Sequence, residues 1–214
     1  MSQVKGLCVM DVDGTLILEE VIDLLGREVG REEEISQITS WAMRGEIDFE
    51  SSLRKRVSLL VGLPISVFDK VFDSIHLSPN AQEFISILQK NGIQVGLVSG
   101  GFTPIVDRLA KSLGIAYFSA NQLEDKDGHL TGKLVGQIIS PEVKKETMEK
   151  WREELKLPQE RTVAIGDGAN DLLMLKSAGL GIAFCAKEVL KKEIQHHVDK
   201  RDFLEALPLI DCLE

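Results

Sequence analysis

Aromatic side chains are scarce in this 214-residue chain: Phe, Trp and Tyr make up 5% of it, with one Tyr and two Trp. A buried core must therefore be aliphatic, filled by Val, Ile, Leu and Ala. Cysteine is also rare. Cys8, Cys185 and Cys212 are widely spaced and form no Cys-x-x-Cys pair, which excludes a disulfide framework and reads as reduced thiols in a cytosolic protein. None of the four histidines adjoins a candidate motif, and His196-His197 reads as an incidental pair at a helix end. No charged, then apolar, then small-residue segment opens the chain, and no apolar run reaches about 18 residues, so the expected location is the cytoplasm, with no membrane partner. Positive charge is in deficit. Twenty-five Lys and Arg against 34 Asp and Glu leave a net charge of −9, which argues against nucleic acid and anionic lipid as partners. A small anionic substrate stays compatible, because it responds to local charge or a bound cation. A homodimer is left open. The remainder is ordinary for a globular protein, 43% hydrophobic and 28% charged, and the length suits one sizeable domain or one domain with a modest insertion.

Apolar runs alternate with amphipathic stretches. Strands are predicted at Gly6–Met10, Gly92–Val98, Ile115–Phe118, Thr162–Ile165 and Gly181–Phe184. Helices are predicted at Asn80–Lys90, Pro104–Leu113, Pro141–Leu155, Asp171–Ala178 and Lys187–Gln195. Continuous apolar strands alternating with helices imply an α/β fold, a doubly wound parallel sheet covered on both faces. Asp127-Gly128, flanked by Asn121–Asp125 and Thr131–Val135, reads as a β-hairpin inserted in that pattern. The beat breaks between Leu16 and His76, where Glu20–Val29, Glu32–Arg44, Phe49–Leu60 and Ile65–Ser74 follow one another as helices, punctuated by Gly30, Gly45, Gly62 and Pro64. Residues 1–15 and 77–214 are thus expected to form the α/β core, and 16–76 an all-helical cap over the edge where open α/β sheets bind ligands. Hinges for its opening are expected near Leu16–Leu18 and His76–Pro79.

The chemistry gathers at strand tips. Asp11-Val12-Asp13-Gly14-Thr15 follows the first apolar run directly. Residues two apart on an extended backbone point the same way, so Asp11 and Asp13 face one small volume. Such a pair repels itself unless a cation lies between, a proton is shared, or the two do chemistry, one as nucleophile or metal ligand and the other as acid/base. The second strand ends Val98-Ser99-Gly100-Gly101, a hydroxyl and unhindered backbone N–H groups suited to an oxyanion. The fourth ends Gly166-Asp167-Gly168-Ala169-Asn170-Asp171, an all-oxygen group suited to Mg²⁺. Lys144, in the first turns of the helix opening at Ser140-Pro141, supplies the positive charge that several aspartates and a phosphate require. Together these describe phosphoryl transfer through an aspartate.

Asp-x-Asp-Gly-Thr, Ser-Gly-Gly, Lys and Gly-Asp-Gly-x-Asn-Asp, in this order over residues 11–171, resemble the haloacid dehalogenase superfamily, in particular its phosphatases, for which the second aspartate is characteristic. The resemblance implies a Rossmann-like core, Asp11 as nucleophile and Mg²⁺ ligand, Asp13 as acid/base, and Asp11, Asp13 and Asp167 as the metal set. It further implies Ser99, Gly100, Gly101 and Lys144 on the phosphate, Asn170 nearby, and Asp171 in support. The helical insert is similar to the cap of the phosphoserine phosphatases. In that match Glu20 takes the ammonium of O-phospho-L-serine, Arg56 its carboxylate, and Met43 and Phe49 the apolar side, which implies the last step of serine biosynthesis. Taken alone, Glu20 and Arg56 read as ordinary solvated helix charges, and Glu19 is the alternative acid beside Glu20. Another small phosphomonoester, such as phosphohomoserine or a sugar phosphate, is the nearest alternative substrate. An aspartate-phosphorylated receiver module shares the acidic cluster, hydroxyl and lysine, but it has neither the lid nor a use for Asp13.

Overall fold

The computed structural model describes residues 4–44 and 46–210, apart from the side chain of Met43; the expected contact of Met43 with substrate, and Cys212, lie outside the described residues. Strand β1 (Gly6–Met10) leads through a wide turn at Val12–Leu16 into four helices, α1 (Val21–Glu28), α2 (Glu32–Met43), α3 (Phe49–Ser58) and α4 (Val67–Asp73). Next come α5 (Ala81–Lys90), β2 (Ile93–Phe102), α6 (Thr103–Ser112), β3 (Tyr117–Lys126), β4 (His129–Val135) and α7 (Pro141–Glu154). The chain closes with β5 (Thr162–Gly166), α8 (Leu172–Ser177), β6 (Leu180–Phe184), α9 (Glu188–Lys191) and β7 (His196–Val198). The strands form one sheet in the order β4-β3-β2-β1-β5-β6-β7. All neighbours are parallel except β3 and β4. The expected α/β architecture is the one observed.

Strand alternation explains why helices cover both faces. Leu7 and Val9 point to the layer holding Met148 and Trp151 of α7 with Met174 and Leu175 of α8. Cys8 and Met10 point to the other, against Phe84 and Leu88 of α5 and Ile105 and Leu109 of α6. All five β1 residues are buried. Each large aliphatic side chain so placed contributes about 1.5–3 kcal/mol. The tip of β1, where Asp11 begins the turn, is thereby held in the centre of the sheet.

Three details differ from the sequence reading. Strand β2 continues through Ser99–Gly101 to Phe102, with its pairing to β3 shifted between Val98 and Phe102. The third strand and the first arm of the hairpin are one strand, Tyr117–Lys126. His196-His197 stands on β7, paired with Ile182 and Ala183, and the helix before it is only Glu188–Lys191. A three-residue edge strand carries too little pattern to register as period 2, so it merged with the helical stretch before it.

The helical insert leaves and rejoins the core side by side. Ile17 bridges to Leu77, Leu18 N–H donates to the His76 carbonyl at 3.0 Å, and Ser78 N–H donates to Leu16 O at 2.8 Å. A further tie was not legible in the sequence. Gly62 N–H donates to Leu130 O at 2.8 Å, Leu130 N–H to Leu63 O at 2.8 Å, and Ile65 N–H to Gly128 O at 2.9 Å, so the α3–α4 connection is stitched to the β3–β4 hairpin.

Candidate active site

Gly14 makes the turn after β1 possible. Its φ of 71° suits glycine, and a Cβ there would stand 3.0 Å from Asp167 Oδ2. Arg201, from the far end of the chain, donates through Nη1 to the Gly14 carbonyl at 2.9 Å and fixes the turn from behind. Asp11 and Asp13 therefore sit on a rigid tip.

Lys144 is placed by the start of α7. Ser140 caps the helix, its hydroxyl accepting from Val143 N–H at 3.3 Å, and Pro141 fits the first turn. The Lys144 side chain is wholly buried, and its Nζ donates to Asp11 Oδ1 and to Asp171 Oδ1, each at 2.7 Å. Burial opposes its charge, but the two carboxylates outweigh this and raise its pKa. Asp171 spends its other oxygen, Oδ2, on Gly168 N–H at 3.1 Å, tightening the Gly166–Asp171 loop. Thr15, to which the sequence reading gave no part, donates to Asp167 Oδ1 at 3.2 Å.

The carboxylates that converge are Asp11, Asp167 and Asp171, with one oxygen from each mutually within 4.8 Å. Burial, and then the charge of Asp171, raises the pKa of Asp11 well above the usual carboxylate range, with Lys144 pulling the other way. Asp167 is raised for the same two reasons. A buried, oxygen-only group with more carboxylates than cations fits a hard divalent cation, which would relieve that repulsion. The Asp13 carboxylate is not among the three. Its Oδ2 accepts from Val21 N–H at the start of α1 at 3.2 Å, which turns it toward the helical insert and away from Asp171. Its Oδ1 is buried without a hydrogen-bond partner. Burial, followed by the charge of Glu20, raises the Asp13 pKa to about 8, so it carries a proton at neutral pH.

A cleft of about 570 Å³ opens over these groups, lined by Asp11, Asp13, Asp167, Glu20, Phe49 and Arg56 among others. Gly100, Gly101 and Asn170 also reach its wall. Ser99, Lys144 and Asp171 are buried behind it. Of the unhindered N–H groups after Ser99, that of Gly101 is bound to Ser99 Oγ at 2.8 Å. A Cβ on Gly101 would lie 3.0 Å from both Asp13 Oδ2 and Ser99 Oγ, so a side chain there would press on both.

Helix α3 begins at Asp48, whose carboxylate accepts from Ser51 N–H at 2.8 Å. Phe49, Ser52 and Arg56 follow at spacings of three and four, on one helical face, and all three line the cleft. Arg54 and Lys55 point elsewhere and are exposed, Arg54 paired with Glu50. Burial lowers the pKa of Arg56, opposed by the charges of Glu20 and Asp23. Burial, with Asp167 next, raises that of Glu20. Of the two neighbouring acids, Glu19 is bound to the His76 main-chain N–H at 2.9 Å and to its ring at 2.7 Å, at the crossing of the insert, and Glu20 lines the cleft. Asp23 and Lys187 line it too and were missed. Asp23 is three residues after Glu20 on one helix face, and Lys187 follows closely on the β6 tip; either position could have been read from the pattern.

A family model described as haloacid dehalogenase-like hydrolase matches residues 6–179. The chain belongs to that family. Similar to this hydrolase is the phosphoserine phosphatase of Lactococcus lactis subsp. lactis, 52% identical over 209 residues, covering 98% of this chain and 97% of the relative. A solved structure described as a phospho-aspartyl intermediate analogue of phosphoserine phosphatase superposes with a TM-score of 0.91 at 45% identity, covering 96% of this chain and 98% of that one. A substrate-bound phosphoserine phosphatase complex gives 0.92 at 44% identity, covering 98% and 100%.

Proposed function

We propose that this hydrolase removes phosphate from O-phospho-L-serine through a covalent aspartyl-phosphate, with residues 16–76 as its cap and 1–15 with 77–214 as its catalytic core. The relatives named above support the substrate, and the solved intermediate analogue supports the covalent route. The observation that carries the reading is the charge layout of one cleft, whose wall joins Asp11, Asp13, Gly100 and Gly101 from the sheet tips to Glu20 and Arg56 from the helical insert. A molecule with phosphate at one end and an ammonium and carboxylate on one carbon matches it.

In the first step an Asp11 carboxylate oxygen attacks phosphorus while the bond to the serine oxygen breaks, and Asp13 gives its proton to that oxygen. In the second, Asp13, now ionised, takes a proton from the water that attacks phosphorus. Phosphate leaves and the Asp11 carboxylate is regenerated. Lys144 favours the ionised form of Asp11 against burial and Asp171 and puts positive charge beneath the transferring group, and Ser99 and Gly100 bind its oxygens. Asp11 and Asp167 would hold Mg²⁺, whose charge, when bound, offsets that developing on the phosphoryl oxygens. Glu20 binds the ammonium, Arg56 the carboxylate, Phe49 covers the apolar side and Asn170 borders the phosphate. Among the described residues no helix is long and apolar enough to cross a membrane; we assign the enzyme to the cytoplasm.

The test is phosphate release over a panel of phosphoserine, phosphohomoserine, sugar phosphates and p-nitrophenyl phosphate with MgCl₂. The expected result is a clear preference for phosphoserine. Preference for an ester without the amino-acid head would overturn the assignment.

A further inference from the structure

Asn121 takes no part in the scheme above. It stands on β3 opposite Phe102, at the end of the segment where β2 and β3 slip register, and is 1% exposed. Both ends of its amide are used. Nδ2 donates to the Gly100 carbonyl at 2.8 Å, and Oδ1 accepts from Ile139 N–H at 2.9 Å. The two bonds fix the amide orientation, since a carbonyl needs a donor and an N–H an acceptor.

Each bond reaches a different part of the phosphate site. The Gly100 carbonyl and the Gly101 N–H belong to one planar peptide unit. Anchoring the carbonyl on Asn121 sets that plane and aims the N–H at Ser99 Oγ, where it is found at 2.8 Å. With a lone pair of Ser99 Oγ so occupied, its hydrogen is free to be donated to a phosphate oxygen. Ile139 immediately precedes Ser140, which caps α7, and the first turns of that helix carry Lys144. One buried amide thus ties the Ser99–Gly101 strand end to the approach of the Lys144 helix. The chain of donors runs from Ile139 N–H through Asn121 and the Gly100–Gly101 peptide to Ser99, each bond polarising the next.

We propose that Asn121 is a positioning residue for the phosphoryl group: it sets the Gly100–Gly101 peptide and the Ser99 hydroxyl, and holds them in register with Lys144. This rests on the reading that Ser99, Gly100 and Lys144 serve the phosphate. Asn121→Asp keeps the shape and the acceptor for Ile139 N–H but turns an oxygen on the Gly100 carbonyl. Asn121→Ala removes both bonds and adds no charge, so an effect common to the two variants is not electrostatic. Thr103→Val is the control: the Thr103 hydroxyl donates to the carbonyls of Ala120 and Asn121 at 3.3 and 3.1 Å, so its loss loosens the same strand without touching the amide.

The measurement is the competitive inhibition constant of inorganic phosphate, with kcat and KM for p-nitrophenyl phosphate and phosphoserine. An inhibition constant does not change with the fraction of protein folded, so a merely structural role would leave it alone. Both Asn121 variants are expected to weaken phosphate by about tenfold, the scale of one well-placed hydrogen bond, and to lower kcat/KM by the same factor for both substrates. Thr103→Val should lower thermal stability and leave the constant unchanged. An unchanged constant in both Asn121 variants, beside a weakened one in Ser99→Ala, overturns the role of Asn121 alone. An unchanged constant in Ser99→Ala as well overturns the phosphate assignment with it. A Thr103→Val effect as large as that of the Asn121 variants also overturns the proposal.

Discussion

Replacing Lys144 by Met keeps the length and volume of the side chain and removes its charge. The ammonium is wholly buried and bonded at 2.7 Å to two carboxylates that are themselves almost wholly buried. Its loss leaves Asp11 and Asp171 facing each other, with Asp167 close by. Removing one partner of a buried ion pair costs about 3–5 kcal/mol. At about 2–4 °C per kcal/mol for a chain of this size, Tm should fall by roughly 6–20 °C. The deficit should depend on pH. The Asp11 pKa is already raised above its unfolded value, and without Lys144 it rises further. A carboxyl with a raised folded-state pKa has its full stability below the unfolded pKa and loses it as pH rises through the folded one. The gap between variant and wild type should therefore widen from pH 5 to pH 8, and added MgCl₂ should narrow it. Differential scanning calorimetry over that range, with and without Mg²⁺, reads all three effects. Equal Tm values, or a gap that shrinks as pH rises, would refute the view that Lys144 compensates these carboxylates.

Asp13→Asn should fold normally and lose roughly 10²–10⁴-fold in kcat, as expected for loss of a general acid and base, measured by phosphate release. Arg56→Ala should lower kcat/KM for phosphoserine by roughly 30-fold to several thousand-fold, equivalent to about 2–5 kcal/mol, while sparing p-nitrophenyl phosphate; equal losses on both would assign Arg56 to cap closure instead. EDTA should abolish turnover and Mg²⁺ restore it, whereas Ca²⁺, with more ligands at longer distances, should restore little. Because Gly62, Leu63 and Ile65 are bonded to the β3–β4 hairpin, crystals with and without beryllofluoride should show residues 127–131 moving with the cap; a hairpin fixed on the sheet while the cap swings would contradict this.

The floor of the candidate site was legible because its determinants are local. A strand tip, a glycine that permits the turn and a Ser-Pro helix start each act within a few residues, and they bring Asp11, Asp13, Asp167 and Lys144 to one place. The direction in which each carboxylate faces was not legible. Whether Asp13 or Asp171 joins Asp11 and Asp167 depends on the Val21 N–H that holds Asp13 and the Lys144 ammonium that holds Asp171, which belong to tertiary placement rather than to spacing. Long-range ties were invisible for the same reason: Arg201 on Gly14, Asn121 on Gly100, and the hairpin on the α3–α4 connection join residues with no shared pattern. Strand β7 was lost because three residues do not establish a period. Helical spacing says only that one of Arg54, Lys55 and Arg56 can face the cleft; the family resemblance, not the pattern, selects Arg56.

The most direct test of the covalent route is to trap it. Enzyme mixed with phosphoserine and Mg²⁺, quenched in acid during turnover, should carry an acyl phosphate that borohydride reduces to homoserine. Peptide mass spectrometry should find that homoserine at position 11, and no trace of it in Asp11→Asn. Homoserine at another aspartate, or full turnover with no trapped residue at any time point, would contradict Asp11 as the nucleophile.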